Sequence, residues 1–323
     1  MAYDMITIGD IKLDTFVVLP EANVQCQLKM PDCLLCLEYG KKIPVEVVDS
    51  QIAGSAPNVA TGLSRMGFKT GVVSIMGIDG TRKLAFEVLK REKVETRFIK
   101  TSRTAKSSYS VVLNFKGEKT ILASHLSDVY HFPAFAKPRW LYMSELGAGY
   151  ERLFHDVANY IKRTGVTLGF NPGAVQIKEG KRELYELIHR THVLFVNLEE
   201  AQAITKESTT EIHRLATSLY KMGPKLVVIT NGKEGAHVFN GEELYFCDIF
   251  PGKAIEATGA GDAFATGFMG ALMNGQNHNE ALRWGAVNSS SVVGFVGPTK
   301  GLLSAAKIRY RLRNAPKFKT KKL

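Results

Sequence analysis

The chain has 323 residues, 45% of them hydrophobic and 23% charged, with a formal net charge of +11. These proportions exclude a disordered, fibrous or disulfide-stapled chain, and no apolar run reaches the roughly 18 residues a membrane helix needs. The Met1-Ala2-Tyr3-Asp4 start has neither the basic nor the apolar region of a signal peptide, so the expected location is cytoplasmic.

From Lys307 to the end there are eight basic residues and no acid, so most of the excess charge lies in the last stretch of the chain. Residues 304–323 are therefore expected to form a solvated, fraying basic tail, with no membrane partner and no strong case for nucleic acid. Of the four cysteines, Cys26, Cys33 and Cys36 cluster, and Cys33-Leu34-Leu35-Cys36 has zinc-knuckle spacing without a fourth ligand nearby. Reduced thiols are the expectation; a metal site completed by Cys247, His125 or His131 is the alternative.

In chain order, residues 5–9 read as a buried strand, and Asp10-Ile11-Lys12-Leu13-Asp14 leads into a second strand over 15–19. Residues 21–42 are polar and irregular. Small residues from Ala53 to Pro57 then open a helix that continues to Met66, packed closely on a strand. Residues 70–76 read as a strand, Gly77-Ile78-Asp79-Gly80 as a turn and 81–91 as an amphipathic helix. Strand, helix, strand in succession implies βαβ units and a parallel sheet. Between 97 and 124 the period becomes two, with strands at 108–115 and 119–123 joined at Lys116-Gly117-Glu118, and these pair with strand 15–19 in a small separate sheet.

A second βαβ run begins with strand 140–143. Glu145 follows a strand end, where open α/β sheets present ligand-facing residues, and reads as a substrate contact or a surface acid. A helix over 151–163, a strand over 166–170, a turn at Asn171-Pro172-Gly173 and a helix over 182–190 come next. Strand 193–196 runs into Asn197-Leu198-Glu199-Glu200, a capping asparagine with first-turn acids. Strand 225–229 ends in Thr230-Asn231-Gly232-Lys233-Glu234-Gly235, a hairpin turn into strand 236–239.

Glu256-Ala257-Thr258-Gly259-Ala260-Gly261-Asp262 precedes the apolar helical run 263–269, and another helix spans 279–293. Small residues at a helix start let the first amides turn outward at the positive end of the dipole, which seats an anion. Asp262 is out of place there if its task is only to hold negative charge, because like charges repel. It makes sense as a proton acceptor: phosphoryl transfer asks for a base on the attacking hydroxyl beside fixed donors for the developing charge. A glycine-rich loop with an ordinary helix-start acid is the plainer alternative.

Taken together, these stretches resemble the ribokinase-like (PfkB) family of carbohydrate and nucleoside kinases over about residues 4–303. The Gly259-Ala260-Gly261-Asp262 stretch resembles the family signature. The resemblance implies a three-layer α/β/α sandwich with a mostly parallel central sheet, in a single kinase domain over 1–303 with a β-sheet lid from about 13–50 and 97–124. It makes Asp262 the catalytic base and the amides of Gly259, Ala260 and Gly261 the anion hole. Asp14, Gly54, Ser55 and Asn58 fall on the family's sugar-binding positions, with Ala53 where the family has a first glycine. Asn197 and Glu200 match the Asn-x-x-Glu motif that steers magnesium, and Thr230, Gly232 and Gly235 match the nucleotide loop. Glu256 stands where many relatives have an aspartate beside a monovalent cation.

The function implied is ATP-dependent, magnesium-assisted phosphorylation of a sugar hydroxyl, with potassium as a further cofactor and a homodimer through the lid. A nucleoside acceptor is the alternative within the family and would want an aromatic clamp from Phe16, Phe98, Tyr109 or Phe115. A non-catalytic sugar or nucleotide sensor is the alternative from another class. Which sugar, and which hydroxyl, is a matter of pocket shape rather than of motif.

Overall fold

Met5–Ile8 is buried along its whole length and forms β1, the strand around which the main sheet is laid out. The computed structural model describes residues 2–20, 22–26, 33–116, 118–126 and 128–323. After β1 come β2 (Lys12–Val18), a hairpin of β3 (Asn23–Cys26) and β4 (Cys33–Cys36), β5 (Glu46–Ala53), α1 (Ser55–Arg65), β6 (Thr70–Met76), α2 (Gly80–Arg91) and β7 (Ile99–Thr101). The chain continues through β8 (Ser108–Phe115), β9 (Glu118–Ser124), β10 (Trp140–Met143), α3 (Glu151–Thr164), β11 (Thr167–Phe170), α4 (Ala174–Glu179), α5 (Arg182–His189) and β12 (Val193–Asn197). It ends with α6 (Leu198–Thr205), α7 (Ile212–Lys221), β13 (Leu226–Thr230), β14 (Ala236–Phe239), β15 (Leu244–Cys247), α8 (Ala260–Met273), α9 (His278–Val292), α10 (Ala305–Arg313) and β16 (Lys321–Lys322).

Among the described residues the main sheet has the order β16-β15-β14-β13-β12-β11-β10-β1-β6-β7. The strands from β7 to β13 are parallel, and β14, β15 and β16 add to that sheet antiparallel. Side chains alternate between its faces as strand geometry requires. Met5 and Tyr142 pack with Phe268, Met269 and Trp284 from α8 and α9, whereas Ile6, Ile8, Leu141 and Met143 pack with Leu153, Leu187 and Leu215 from α3, α5 and α7. The result is helices on both faces of a mostly parallel sheet, as the sequence implies.

A second sheet, β5-β2-β8-β9, stands apart from the first. Its β2 runs parallel to β8 and antiparallel to β5, and β9 returns antiparallel to β8. Strand β5 is absent from the sequence-based reading, which places no strand between residues 20 and 52. Ile99–Thr101 lies on the edge of the main sheet against β6 rather than in this small sheet. The region between β2 and β5 carries the β3–β4 hairpin, whose register sets Cys26 opposite Cys33.

The frayed basic tail is corrected by the structure. Residues 305–313 form α10, with Ile308 and Leu312 buried against the core and Phe318 edge-on to Phe250 at 5.0 Å between ring centroids. Burying two such aliphatic side chains stabilises by about 1.5–3 kcal/mol each, enough to hold a short helix whose polar face carries the charge.

β1 also sets the site. The chain leaves it through the small sheet toward β6 on one side and returns on the other as β10, so the strand order reverses between β1 and β10. The crevice beyond the carboxyl ends of strands at such a reversal is where open α/β sheets bind ligands.

Candidate active site

Asp10, after β1, and Glu145, after β10, close the floor of this crevice: the Asp10 amide donates to the Glu145 carbonyl at 3.0 Å. Helix α1 enters above them through Gly54, whose φ is 115°. A Cβ there would stand 2.2 Å from the Asp10 carbonyl oxygen, so only glycine fits. Ala53, in the place of the family's first glycine, is buried as the last residue of β5.

Asn58, one turn into α1, donates from Nδ2 to Asp262 Oδ2 at 2.7 Å. Asp262 lies in the first turn of α8, half-buried, and makes no ion pair among the described residues. Burial raises its carboxyl above the ordinary aspartate range, against Asn58 and Ser55, which favour its charged form. The helix start beside it is open. Gly259 takes the left-handed conformation, φ 77°, where a Cβ would meet Pro298 at 2.4 Å, and no side chain caps the first amides. A Cβ on exposed Gly261 would meet nothing within 4 Å, leaving room for an anion above the helix dipole.

On the other side stands Asp14 of β2, 6% exposed, in register with Ser110 of β8. Burial raises its carboxyl and the Lys12 ammonium counters. Its Oδ1 and the Oδ1 of Asn58 are buried with no hydrogen-bond partner. Glu145 accepts two bonds from Lys12 Nζ, at 3.0 and 3.2 Å. Burial works against that ammonium, yet Glu145 and Asp14 outweigh it and hold its pKa above the ordinary lysine value. His125 bonds Asp10 Oδ2 through Nδ1 at 3.0 Å and lies 3.6 Å from Glu145 through Nε2; its bond to Asp10 raises its pKa. Tyr130 donates to Asp10 Oδ1, and the Gly147 amide to Oδ2.

Asn197 and Glu200 form a reciprocal cap on α6: Asn197 Oδ1 accepts from the Glu200 amide at 2.8 Å, and Glu200 Oε2 accepts from the Asn197 amide at 2.9 Å. Burial pushes Glu200 up to about 7, with the charges of Glu199, Glu145 and Asp262 adding to it. Thr230 is the register partner of Asn197 on the neighbouring strand, which brings both nucleotide-motif residues to one strand end. Gly232 has φ 51° and open space beside it, whereas Gly235, φ 86°, is buried against the Cys247 carbonyl and Phe246, so its backbone and its packing both require glycine there. Glu256 accepts from the Thr258 amide at 2.7 Å and its hydroxyl at 2.5 Å, and the Gly297 amide stands 3.5 Å away. A cavity of about 450 Å³ opens beside α9, lined among others by Phe250, Lys253, Ser290, Gly294 and Phe295. It adjoins the signature loop, because Ser289 Oγ bonds the Ala260 carbonyl and the Glu256 amide bonds the Val293 carbonyl.

The aromatic clamp is not assembled. Phe16 and Phe115 are buried, Phe98 packs edge-on to Tyr3 and Phe135, and Tyr109 alone of the four is exposed, its hydroxyl on Thr15. Cys36 is half-buried and Cys247 buried; no group of three or more metal-ligating side chains occurs among the described residues, and the side chains of Cys26 and Cys33 lie outside them. Sequence reasoning missed Asp10, Lys12, His125 and Tyr130. Asp10 was within reach, in the same turn as Asp14; His125 was not, because only the fold brings it to β1.

A sequence model described as pfkB family carbohydrate kinase matches residues 15–305. The ATP-dependent 6-phosphofructokinase of Thermoanaerobacterium thermosaccharolyticum is 24% identical over 91% of this chain and 89% of its own length. A nucleoside kinase of Methanothermobacter thermautotrophicus is 25% identical over 74% of this chain and 77% of its own. Among solved structures, Arabidopsis thaliana ribokinase complexed with ribose and ATP superimposes with a TM-score of 0.78, at 20% identity, over 97% of this chain and 99% of that one.

Proposed function

The chain belongs to the pfkB family of carbohydrate kinases, phosphotransferases that act on hydroxyl groups, and from that membership we propose that it transfers the γ-phosphoryl group of ATP to a sugar hydroxyl. The observation that carries this reading is the Asn58–Asp262 bond of 2.7 Å at an uncapped helix start. Asp262, its carboxyl raised above the ordinary aspartate value by burial, takes the proton of the attacking hydroxyl. The amides from Gly259 to Gly261 hold the phosphate charge, and Asn58 keeps the base aimed at the acceptor. Asp14, Gly54, Ser55, Asn58 and Glu145 line the acceptor side; Asn197, Glu200, Thr230 and Gly232 line the nucleotide side, and the cavity beside α9 has room for the base.

Magnesium, steered by Glu200, would neutralise phosphate charge, which fits a raised carboxylate at that end of the crevice. Glu256 is the candidate ligand for a monovalent cation. The β5-β2-β8-β9 sheet serves as the lid of a single cytoplasmic kinase domain, and no helix among the described residues is long and apolar enough to cross a membrane. The exposed apolar side chains Val47, Ile121 and Leu122 on the lid support pairing of two copies there.

A nucleoside acceptor is less favoured, because three of the four aromatic candidates are committed to packing. A coupled ADP-release assay over hexoses, pentoses and nucleosides, with Asp262→Asn beside the wild type, tests the proposal. Turnover by the wild type alone supports it; ligand-induced melting shifts with no ADP from any acceptor would favour a sensor.

A further inference from the structure

We infer that the carboxyl-terminal face of the protein, α10 with the segment that follows it, binds single-stranded RNA. Lys307, Arg309, Arg311, Arg313, Lys317, Lys319, Lys321 and Lys322 stand there, with no acid from 307 to the end. Among the described residues only Lys322 is in an ion pair, with Glu243 at 2.6 Å, which leaves the other seven cations unpaired. Helix α9, against which α10 packs, carries one acid, Glu280, and Arg283 holds it. Cations at the end of a helix favour its dipole, which accounts for Arg311 and Arg313 and for none of the rest. Like charges gathered on one face repel one another, and a chain of phosphates relieves that repulsion along its length.

The charges are held in place rather than carried on a frayed tail. Ile308 and Leu312 anchor α10, Phe318 anchors the segment after it against Phe250, and Arg309 lies over the Trp284 ring, 5.6 Å from its centroid. Groups fixed before binding lose less freedom on it. Because Ala305, Ile308 and Leu312 turn the apolar face of α10 into the core, the helix has none to sink into a bilayer, as a membrane-surface helix must. It shows Tyr310 outward instead, 60% exposed and three residues from both Lys307 and Arg313, its neighbours on the helix surface. A ring among cations stacks an unpaired base while they hold the backbone. Such bases are open in single-stranded RNA and closed in a duplex.

The test is fluorescence anisotropy of the full chain with a labelled single-stranded RNA of about 20 nucleotides, over a salt series. The expected affinity falls with salt at a log–log slope of about −2 or steeper, the mark of three or more neutralised phosphates. The combined variant Lys307→Gln, Arg313→Gln, Lys317→Gln, Lys319→Gln changes exposed residues outside the crevice and leaves Arg311, which lines the cavity beside α9. It should melt as the wild type does, bind at least about tenfold more weakly and flatten the slope by about one or more. A control with Lys90→Gln, Arg91→Gln, Lys93→Gln and Lys100→Gln removes the same charge near β7, at the opposite edge of the sheet from β16, and should stay within about twofold of the wild type. Tyr310→Ser should weaken binding about fivefold or more with the slope unchanged. Absence of RNA binding at about 50 mM salt, or equal loss in the two charge variants, overturns the inference. So does tighter binding of duplex DNA or of phosphatidylserine vesicles than of the RNA, and so does an unchanged affinity in Tyr310→Ser.

Discussion

Lys300 Nζ stands 2.7 Å from Asp49 Oδ2, an ion pair that ties strand β5 of the small sheet to the loop after α9. Gln51, two residues along, donates to Asp49 at 2.6 Å and to the Val296 carbonyl at 3.1 Å, and Gly297 packs against its amide. Through Gly297 the same loop approaches Glu256. The small sheet therefore leans on the segment that borders the helix start.

Lys300→Ala is expected to leave global stability within about 1 kcal/mol, because the pair is partly exposed, while raising the acceptor KM severalfold as the lid loses its rest. Denaturant unfolding and steady-state kinetics at low and high salt check this. The wild type at high salt should approach the variant.

Asp262→Asn is expected to lower kcat by about 100- to 10,000-fold with nucleotide binding retained, the range for loss of a general base. Single-turnover kinetics with a nucleotide melting shift on the same sample separate the two. Retained turnover would mean that the proton leaves by another route.

Glu200 titrates near 7 when folded against an ordinary 4.5, so the folded state keeps a proton that the unfolded chain has released. Stability linked to this group therefore falls as pH rises from about 4.5 through about 7. Glu200→Gln keeps an acceptor for the Asn197 amide and should melt higher than the wild type above neutral pH, with the gap closing toward pH 5. Magnesium and nucleotide, by favouring the charged form, should shrink the gap.

Gly54→Ala forces a Cβ to 2.2 Å from the Asp10 carbonyl at a φ of 115°. A loss of about 1–3 kcal/mol from backbone strain is expected, and more where the clash displaces Asp10. Chemical denaturation measures the loss, and acceptor affinity should fall further than nucleotide affinity.

The signature at 259–262 and the Gly54–Asn58 stretch were legible because each is contiguous and its local geometry is its function. The Lys12–Glu145 and His125–Asp10 pairs were not, since their partners lie 133 and 115 positions apart; the first pair meets because β1 and β10 are neighbours, the second because His125 follows β9, which pairs through β8 with β2. Strand β5 hid because only its last two residues, Ile52 and Ala53, are buried, and the polar run Asp49-Ser50-Gln51 in its middle reads as loop. In α10 the basic residues masked the helical spacing of Ala305, Ile308 and Leu312, the three side chains that dock it.

The last residues of the chain pair with β15, Lys321 with Phe246 and Lys322 with Tyr245, and the Leu323 amide reaches the Leu244 carbonyl at 2.9 Å. Without them β15 would be the outermost strand, offering a bare row of amides and carbonyls to any extended segment nearby. Two lysines in a strand too short to be extended make a terminator that discourages further addition. Solubility would thus hang in part on a charged guard over one sheet margin, far from the crevice where the chemistry is placed.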